Sequence, residues 1–195
     1  MSTSFNLLPQ PENSALVVID IQERLSLAMQ AEELAAVVRN SIILIETAKE
    51  FNLPVVWSEQ YPKGLGTTLP AIREALPPGS QPLAKLSFSC CGEPAIQSVL
   101  DAMSAVSSPQ GRDLILCGIE THVCVLQTAL DLLRQGRRVF VAGDAVCSRA
   151  AFNHQTGLAL MRQAGAVIGS TEIFAFGMLG AAGSERFKRI SKLVK

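Results

Sequence analysis

The run Ala15-Leu16-Val17-Val18-Ile19, closed by Asp20, decides how the rest of the chain is read. Five consecutive apolar residues, β-branched at three positions, suit a strand covered on both faces, because a strand with one wet face alternates with polar residues. Two more runs have the same character, Leu114-Ile115-Leu116-Cys117 and Val139-Phe140-Val141-Ala142. Pro54-Val55-Val56-Trp57 and the weaker Ala166-Val167-Ile168 extend the set. Between them lie segments of helical periodicity, clearest at Leu34, Val38, Ser41, Ile45 and Ala48, which share one helical face. Regular alternation of doubly buried strands and helices predicts an α/β fold: three layers, α/β/α, around a mostly parallel sheet joined by right-handed crossovers. Functional groups of such sheets collect at the carboxyl ends of the strands.

At 195 residues the chain suits one domain over 1–195. Seventeen basic against 17 acidic residues leave no formal net charge, so neither nucleic acid nor an anionic membrane is an expected partner. No apolar run approaches the ~18 residues of a membrane span. Met1 to Ser14 carries no basic segment followed by an apolar one, so a cytoplasmic protein without a leader is expected. Charged residues are sparse at 17%, which points to a homo-oligomer whose contacts cover part of the surface. The apolar stretch Ile173 to Leu179 either joins such an interface or packs internally. From Ser184 onward a basic C-terminal helix is expected. Tyr61 to Gln81, rich in proline and glycine, reads as a long functional loop.

Five cysteines, Cys90, Cys91, Cys117, Cys124 and Cys147, form neither a C-x-x-C pair nor a metal-ligand spacing, so reduced thiols are expected. Cys124 follows Cys117-Gly118-Ile119-Glu120-Thr121-His122-Val123, where a glycine permits a sharp turn into a helix. A thiol in the first helical turn feels the positive dipole end and neighbouring N–H groups, as a nucleophile requires; the alternative is a packing cysteine. Cys117 is expected to be inert core, whereas Cys147, near the end of the next strand, is a candidate to line the same site. Asp20 reads equally as a base at a strand end or as a helix N-cap with Glu23 completing a capping box. Lys85, within Leu83-Ala84-Lys85-Leu86-Ser87-Phe88, either faces solvent or supports a charged site. His122, two residues before Cys124, points away from the thiol and reads as a cap or surface residue. Neither it nor His154 belongs to a zinc motif. Gly64-Leu65-Gly66 lacks the third glycine of a dinucleotide fingerprint, with Leu69 in its place, so no nucleotide cofactor is expected.

Val17-Val18-Ile19-Asp20-Ile21-Gln22, Glu59-Gln60-Tyr61-Pro62-Lys63-Gly64-Leu65-Gly66, Lys85-Leu86-Ser87-Phe88-Ser89 and Cys117 to Cys124 together resemble the isochorismatase-like cysteine hydrolase family. Asp144 to Arg149 adds a likeness to its subgroup of isochorismatase domain-containing proteins. The resemblance implies a Rossmann-like sheet of about six strands and a catalytic triad of Asp20, Lys85 and Cys124. It also implies a cis peptide between Ile119 and Glu120, an oxyanion hole from the backbone N–H groups of Glu120 and Cys124, and oligomers. Nicotinamidases of the family bind metal through an Asp-x-His motif after the second strand. This chain has Trp57-Ser58-Glu59-Gln60-Tyr61 there, so no metal is expected. A thiol at 124 favours acyl transfer over vinyl-ether cleavage. The expected function is thus hydrolysis of a small amide or related C–N bond, with Gln22, Trp57, Tyr61 and Phe88 as candidate pocket walls. The alternative is a redox-responsive thiol protein or assembly module, motivated by Cys90, Cys91 and Cys147.

Overall fold

The computed structural model describes residues 7–103 and 111–195; of the stretch read above for a leader, residues 1–6 lie outside the described residues. Six strands form one sheet: β1 (Ser14–Ile19), β2 (Val55–Gln60), β3 (Leu83–Lys85), β4 (Asp113–Ile119), β5 (Val139–Cys147) and β6 (Val167–Gly169). Their spatial order is β3-β2-β1-β4-β5-β6, and every neighbouring pair is parallel. The expected three-layer α/β/α architecture is therefore present. The chain winds outward from β1 to β3, then returns to β4 beside β1 and winds the other way. The β1/β4 junction is the switch point at which such sheets open a crevice beyond their carboxyl ends.

The intervening helices are α1 (Glu23–Ser26), α2 (Ala31–Glu50), α3 (Pro62–Leu65), α4 (Pro70–Ala75), α5 (Pro94–Ala102), α6 (Leu126–Arg134), α7 (Ala151–Gln163), α8 (Thr171–Leu179) and α9 (Glu185–Leu193). Strand residues alternate between two cores. Leu16, Val18, Ile115, Cys117 and Phe140 pack with Val37, Ile45, Ile72, Phe174 and Met178 of α2, α4 and α8. Ala15, Val17, Leu114, Leu116 and Val141 pack with Ile96, Leu100, Ala129, Leu132 and Met161 of α5, α6 and α7. Burial on both faces is why β1 and β4 are continuously apolar.

The stretch Tyr61 to Gln81 is not a single open loop: it contains α3 and α4, and Ile72, Ala75 and Leu76 seat α4 on the first core. Proline at the start of each short helix explains why its composition read as loop, since proline suits a first turn as well as a coil. The apolar stretch Ile173–Leu179 is mostly internal, with Phe174, Ala175 and Met178 buried and Ile173 exposed. The C-terminal helix is α9, capped by Ser184 Oγ accepting from Phe187 N.

At the switch point β4 runs hard against β1. Gly118 has φ +125°, and a Cβ there would stand 2.0 Å from the carbonyl oxygen of Ile19. Both the backbone angle and the approach demand glycine. Gly118→Ala is expected to lower the unfolding free energy by at least about 2 kcal/mol, read as a fall in the urea midpoint.

Candidate active site

Asp20 follows the last residue of β1 in a left-handed conformation, φ 52°, with its side chain sealed from solvent. It is not a helix cap: α1 begins at Glu23, Gln22 occupies the cap position, and no side chain bonds the first turn. The carboxylate instead turns across the sheet. Ser58 Oγ donates to Asp20 Oδ1 at 2.8 Å, and Lys85 Nζ lies 2.7 Å from Oδ2.

Lys85 is the last residue of β3, and its side chain is 0% exposed, which overturns the solvent-facing alternative. Its ammonium also donates to Gln60 Oε1 at 2.7 Å, Phe88 O at 2.8 Å and Ser87 O at 3.2 Å. Burial opposes the charge, but Asp20 and the nearby thiols outweigh it, and the Lys85 pKa stands above its ordinary value. The carbonyls face inward because the other side of the loop is fixed. Glu93 Oε1 accepts from Leu86 N at 2.8 Å, Ser87 N at 3.0 Å and Ser87 Oγ at 3.1 Å. These bonds hold the Glu93 carboxyl below the usual carboxylate range.

The Ile119–Glu120 peptide that leaves β4 is cis. A single π-helical turn, Thr121–Val125, then leads into α6 and carries Cys124, which is 4% exposed. Its thiol stands near enough to Asp20 and Lys85 to feel both charges. Burial and the Asp20 charge together exceed the pull of Lys85, and the Cys124 pKa is pushed up to about 12. The expectation that the helix terminus would favour thiolate is thus reversed: in a buried site the missing solvation and an adjacent carboxylate outweigh a partial dipole charge. The structure therefore brings Asp20, Lys85 and Cys124 together at the carboxyl ends of three strands, one on each side of the switch point and one at the sheet edge.

The carboxylate of Glu120 turns to Arg149, accepting from its backbone N at 2.9 Å and from Nε at 3.1 Å. Although burial opposes its charge, these bonds lower the Glu120 pKa. Gly157 of α7 lets that helix rest on the π-helical turn, since a Cβ there would meet Thr121 and His122 at 3.2 Å. His122 Nδ1 pairs with Ser148 Oγ and His154 Nδ1 with Thr121 Oγ1, each at 3.0 Å, so both histidines brace the turn.

The four candidate wall residues divide. Tyr61 and Phe88 are half-exposed beside Lys85: the Tyr61 amide donates to Lys85 O, and Tyr61, Pro62, Leu86 and Glu93 border a cavity of about 320 Å³ that Lys85 also lines. Trp57 and Gln22 are both buried. Trp57 is buried against α4 in the first core, because its position in β2 faces the opposite side from Val56. Gln22 is fully buried and spent on backbone, donating to Gln60 O and Gly66 O and accepting from Gln60 N. Cys147 is likewise corrected: it packs in the first core, across the sheet from Cys124. Cys117 is core, as expected. Sequence reasoning passed over Ser58 and Gln60, and weighed Cys90 only as a thiol of the redox alternative. Their signal was alternation of polar residues, Ser58 and Gln60, at the carboxyl end of an apolar strand. Among the described residues no three His, Cys, Asp or Glu side chains converge as metal ligands would.

A family model, the isochorismatase domain, matches residues 14–173. The chain belongs to the isochorismatase family, a family of isochorismatase-like hydrolases. It is 38% identical over 185 residues to isochorismatase domain-containing protein 2 of Bos taurus, covering 95% of this chain and 84% of that one. Over 188 residues it is 40% identical to the secreted isochorismatase effector Isc1 of Phytophthora sojae, covering 95% and 86%. A solved structure described as the MAR1 ribonuclease of Caenorhabditis elegans superposes with a TM-score of 0.84 at 36% identity, covering 95% of this chain and 91% of that one.

All five thiols carry raised pKa values, each with burial as the largest cause. A titration followed at 240 nm is therefore expected to show no thiolate step between about pH 6 and pH 9; a one-thiolate step in that range contradicts the electrostatics described.

Proposed function

We propose that the protein is a metal-independent cysteine hydrolase of a small amide or related C–N bond, with Asp20, Lys85 and Cys124 as its catalytic residues. One observation carries this reading: Cys124 stands beside a buried ion pair of Asp20 and Lys85, within reach of both charges, at the sheet's switch point. The thiol attacks the substrate carbonyl while its proton passes to Asp20, forming a C–S bond and a tetrahedral oxyanion. Backbone N–H groups of Glu120 and Cys124 receive the oxyanion. Asp20 then protonates the departing nitrogen as the C–N bond breaks, leaving a thioester on Cys124. Water, relieved of a proton by Asp20, attacks the thioester and releases the carboxylic acid, and the proton returns to the sulfur. Lys85 holds the carboxylate in place through the ion pair at Oδ2. With a thiol pKa of about 12, proton removal must accompany attack, which ties activation to a bound substrate.

The redox reading is less well supported, because peroxide reacts with thiolates and all five thiols are held protonated. A nucleic-acid substrate is not proposed, since the chain has no net charge with which to gather phosphates. The five free cysteines agree with a cytoplasmic location. Among the described residues no helix is long and apolar enough to cross a membrane.

Turnover of a panel of small amides and ureides tests the proposal: Cys124→Ala is expected to lose at least about 10³-fold in kcat/KM, and equal rates for the two proteins would refute it. Exposed Phe152, Leu160 and Ile173 on a surface poor in charge support a homo-oligomer. Light scattering is expected to give a multiple of the 20.8 kDa chain mass, and the monomer mass at micromolar concentration would refute self-association.

A further inference from the structure

Ser58 stands on β2, between the strand that ends at Asp20 and the strand that ends at Lys85, and it is buried. Its hydroxyl donates to Asp20 Oδ1 at 2.8 Å. The same oxygen accepts from the thiol of Cys90, which is 0% exposed, at 3.6 Å. The Cys90 backbone is in turn tied to α6 through Thr128 Oγ1 at 2.9 Å. A hydroxyl has one proton, and because the Cys90 S–H approaches Ser58 Oγ as donor, that proton is directed at Oδ1. The chain of donors runs one way, from Cys90 through Ser58 to Asp20. Among the described residues, Asp20 is faced by Ser58 on Oδ1, Lys85 on Oδ2, and the thiols of Cys124 and Cys90.

We propose that Ser58 is a positioning residue that sets how the single proton shared by Cys124 and Asp20 is divided between them. The inference rests on the assignment of Asp20 as the base for Cys124. A hydrogen bond donated to a carboxylate favours its charged form, so Ser58 keeps the proton on sulfur in the resting site. Engaging Oδ1 also leaves Oδ2, beside Lys85, as the oxygen that exchanges the proton with substrate. Without the donor the equilibrium moves toward thiolate and carboxylic acid. The carboxylic acid so formed is a weaker acid for the departing nitrogen. The thiol becomes more reactive while the complete reaction slows.

Alkylation of Cys124 by iodoacetamide at pH 7.5, followed by peptide mass spectrometry, reads the division without any substrate. Ser58→Ala is expected to speed alkylation about tenfold, the factor for one unit of differential interaction. Ser58→Thr, which keeps the hydroxyl, should stay within about twofold of the parent. In an Asp20→Asn background the same Ser58→Ala change should alter the rate by less than about twofold, since the group it acts on is gone. Ser58→Cys, nearly isosteric and a poorer donor, replaces Ser58→Ala if the latter does not fold, with the same direction expected. An unchanged rate in Ser58→Ala, or an equal rise with Asn at position 20, would overturn the proposal, because loosened packing exposes the thiol whatever stands at 20. On a hydrolysed amide, Ser58→Ala should lower kcat with KM nearly unchanged. Absence of turnover in the parent protein would refute the proposed reaction while leaving the alkylation result to decide the role of Ser58.

Discussion

The ion pair between Asp20 and Lys85 is the constraint on which the rest of the site depends. Removing two charges from water costs on the order of several kcal/mol for each ion, and their attraction offsets this only when the remaining hydrogen-bonding capacity is also met. Here Ser58 serves Asp20 Oδ1, while Gln60 and the carbonyls of Ser87 and Phe88 serve the ammonium. Those partners come from β2 and from the segment after β3, so the pair forms only when β1, β2 and β3 are in register. Ile19 stands opposite Ser58, and Gln60 opposite Lys85. Gln22 fastens β2 to the turn after β1 from the other side, and Glu93 holds the loop whose carbonyls receive the ammonium. The sheet and the site are thus specified by the same contacts.

A thiol placed against such a pair meets opposing influences. The cation stabilises thiolate, while burial and the carboxylate stabilise thiol, and the second group prevails. This differs from a cysteine paired with an imidazolium, where the resting sulfur is already charged. Both histidines instead buttress the turn that carries Cys124. A resting thiol reacts more slowly than a thiolate with electrophiles and oxidants, and in the proposed reaction it becomes a nucleophile as the carboxylate accepts its proton. The arrangement favours selectivity over resting reactivity.

Much of the fold was legible because doubly buried parallel strands leave an unmistakable signature, and because Leu34 to Ala48 repeats at helical spacing. The resemblance also singled out Asp20, Lys85 and Cys124, which the fold places after β1, at the end of β3 and in the turn after β4. What could not be read was the side each neighbouring residue faces. Trp57 and Val56 point to opposite cores, as do Cys147 and Cys124, and a one-residue change in the inferred strand phase exchanges them. Base rates for lysine pointed to solvent, and only the partners supplied by β1 and β2 explain its burial. Ser58 and Gln60 looked unremarkable because a polar residue at a strand end is ordinary until its three-dimensional partner is known.

The central claim is that Cys124 is the atom to which an acyl group is transferred, with Asp20 and Lys85 acting on that same event. Intact-protein and peptide mass spectrometry after acid quenching, during incubation with p-nitrophenyl acetate as a small activated acyl donor, tests it most directly. The account predicts an acetyl group on Cys124 that forms more slowly in Lys85→Met and is absent from Cys124→Ala. Acetylation confined to other side chains, or acyl transfer to Cys124 at the same rate in Lys85→Met, would contradict it.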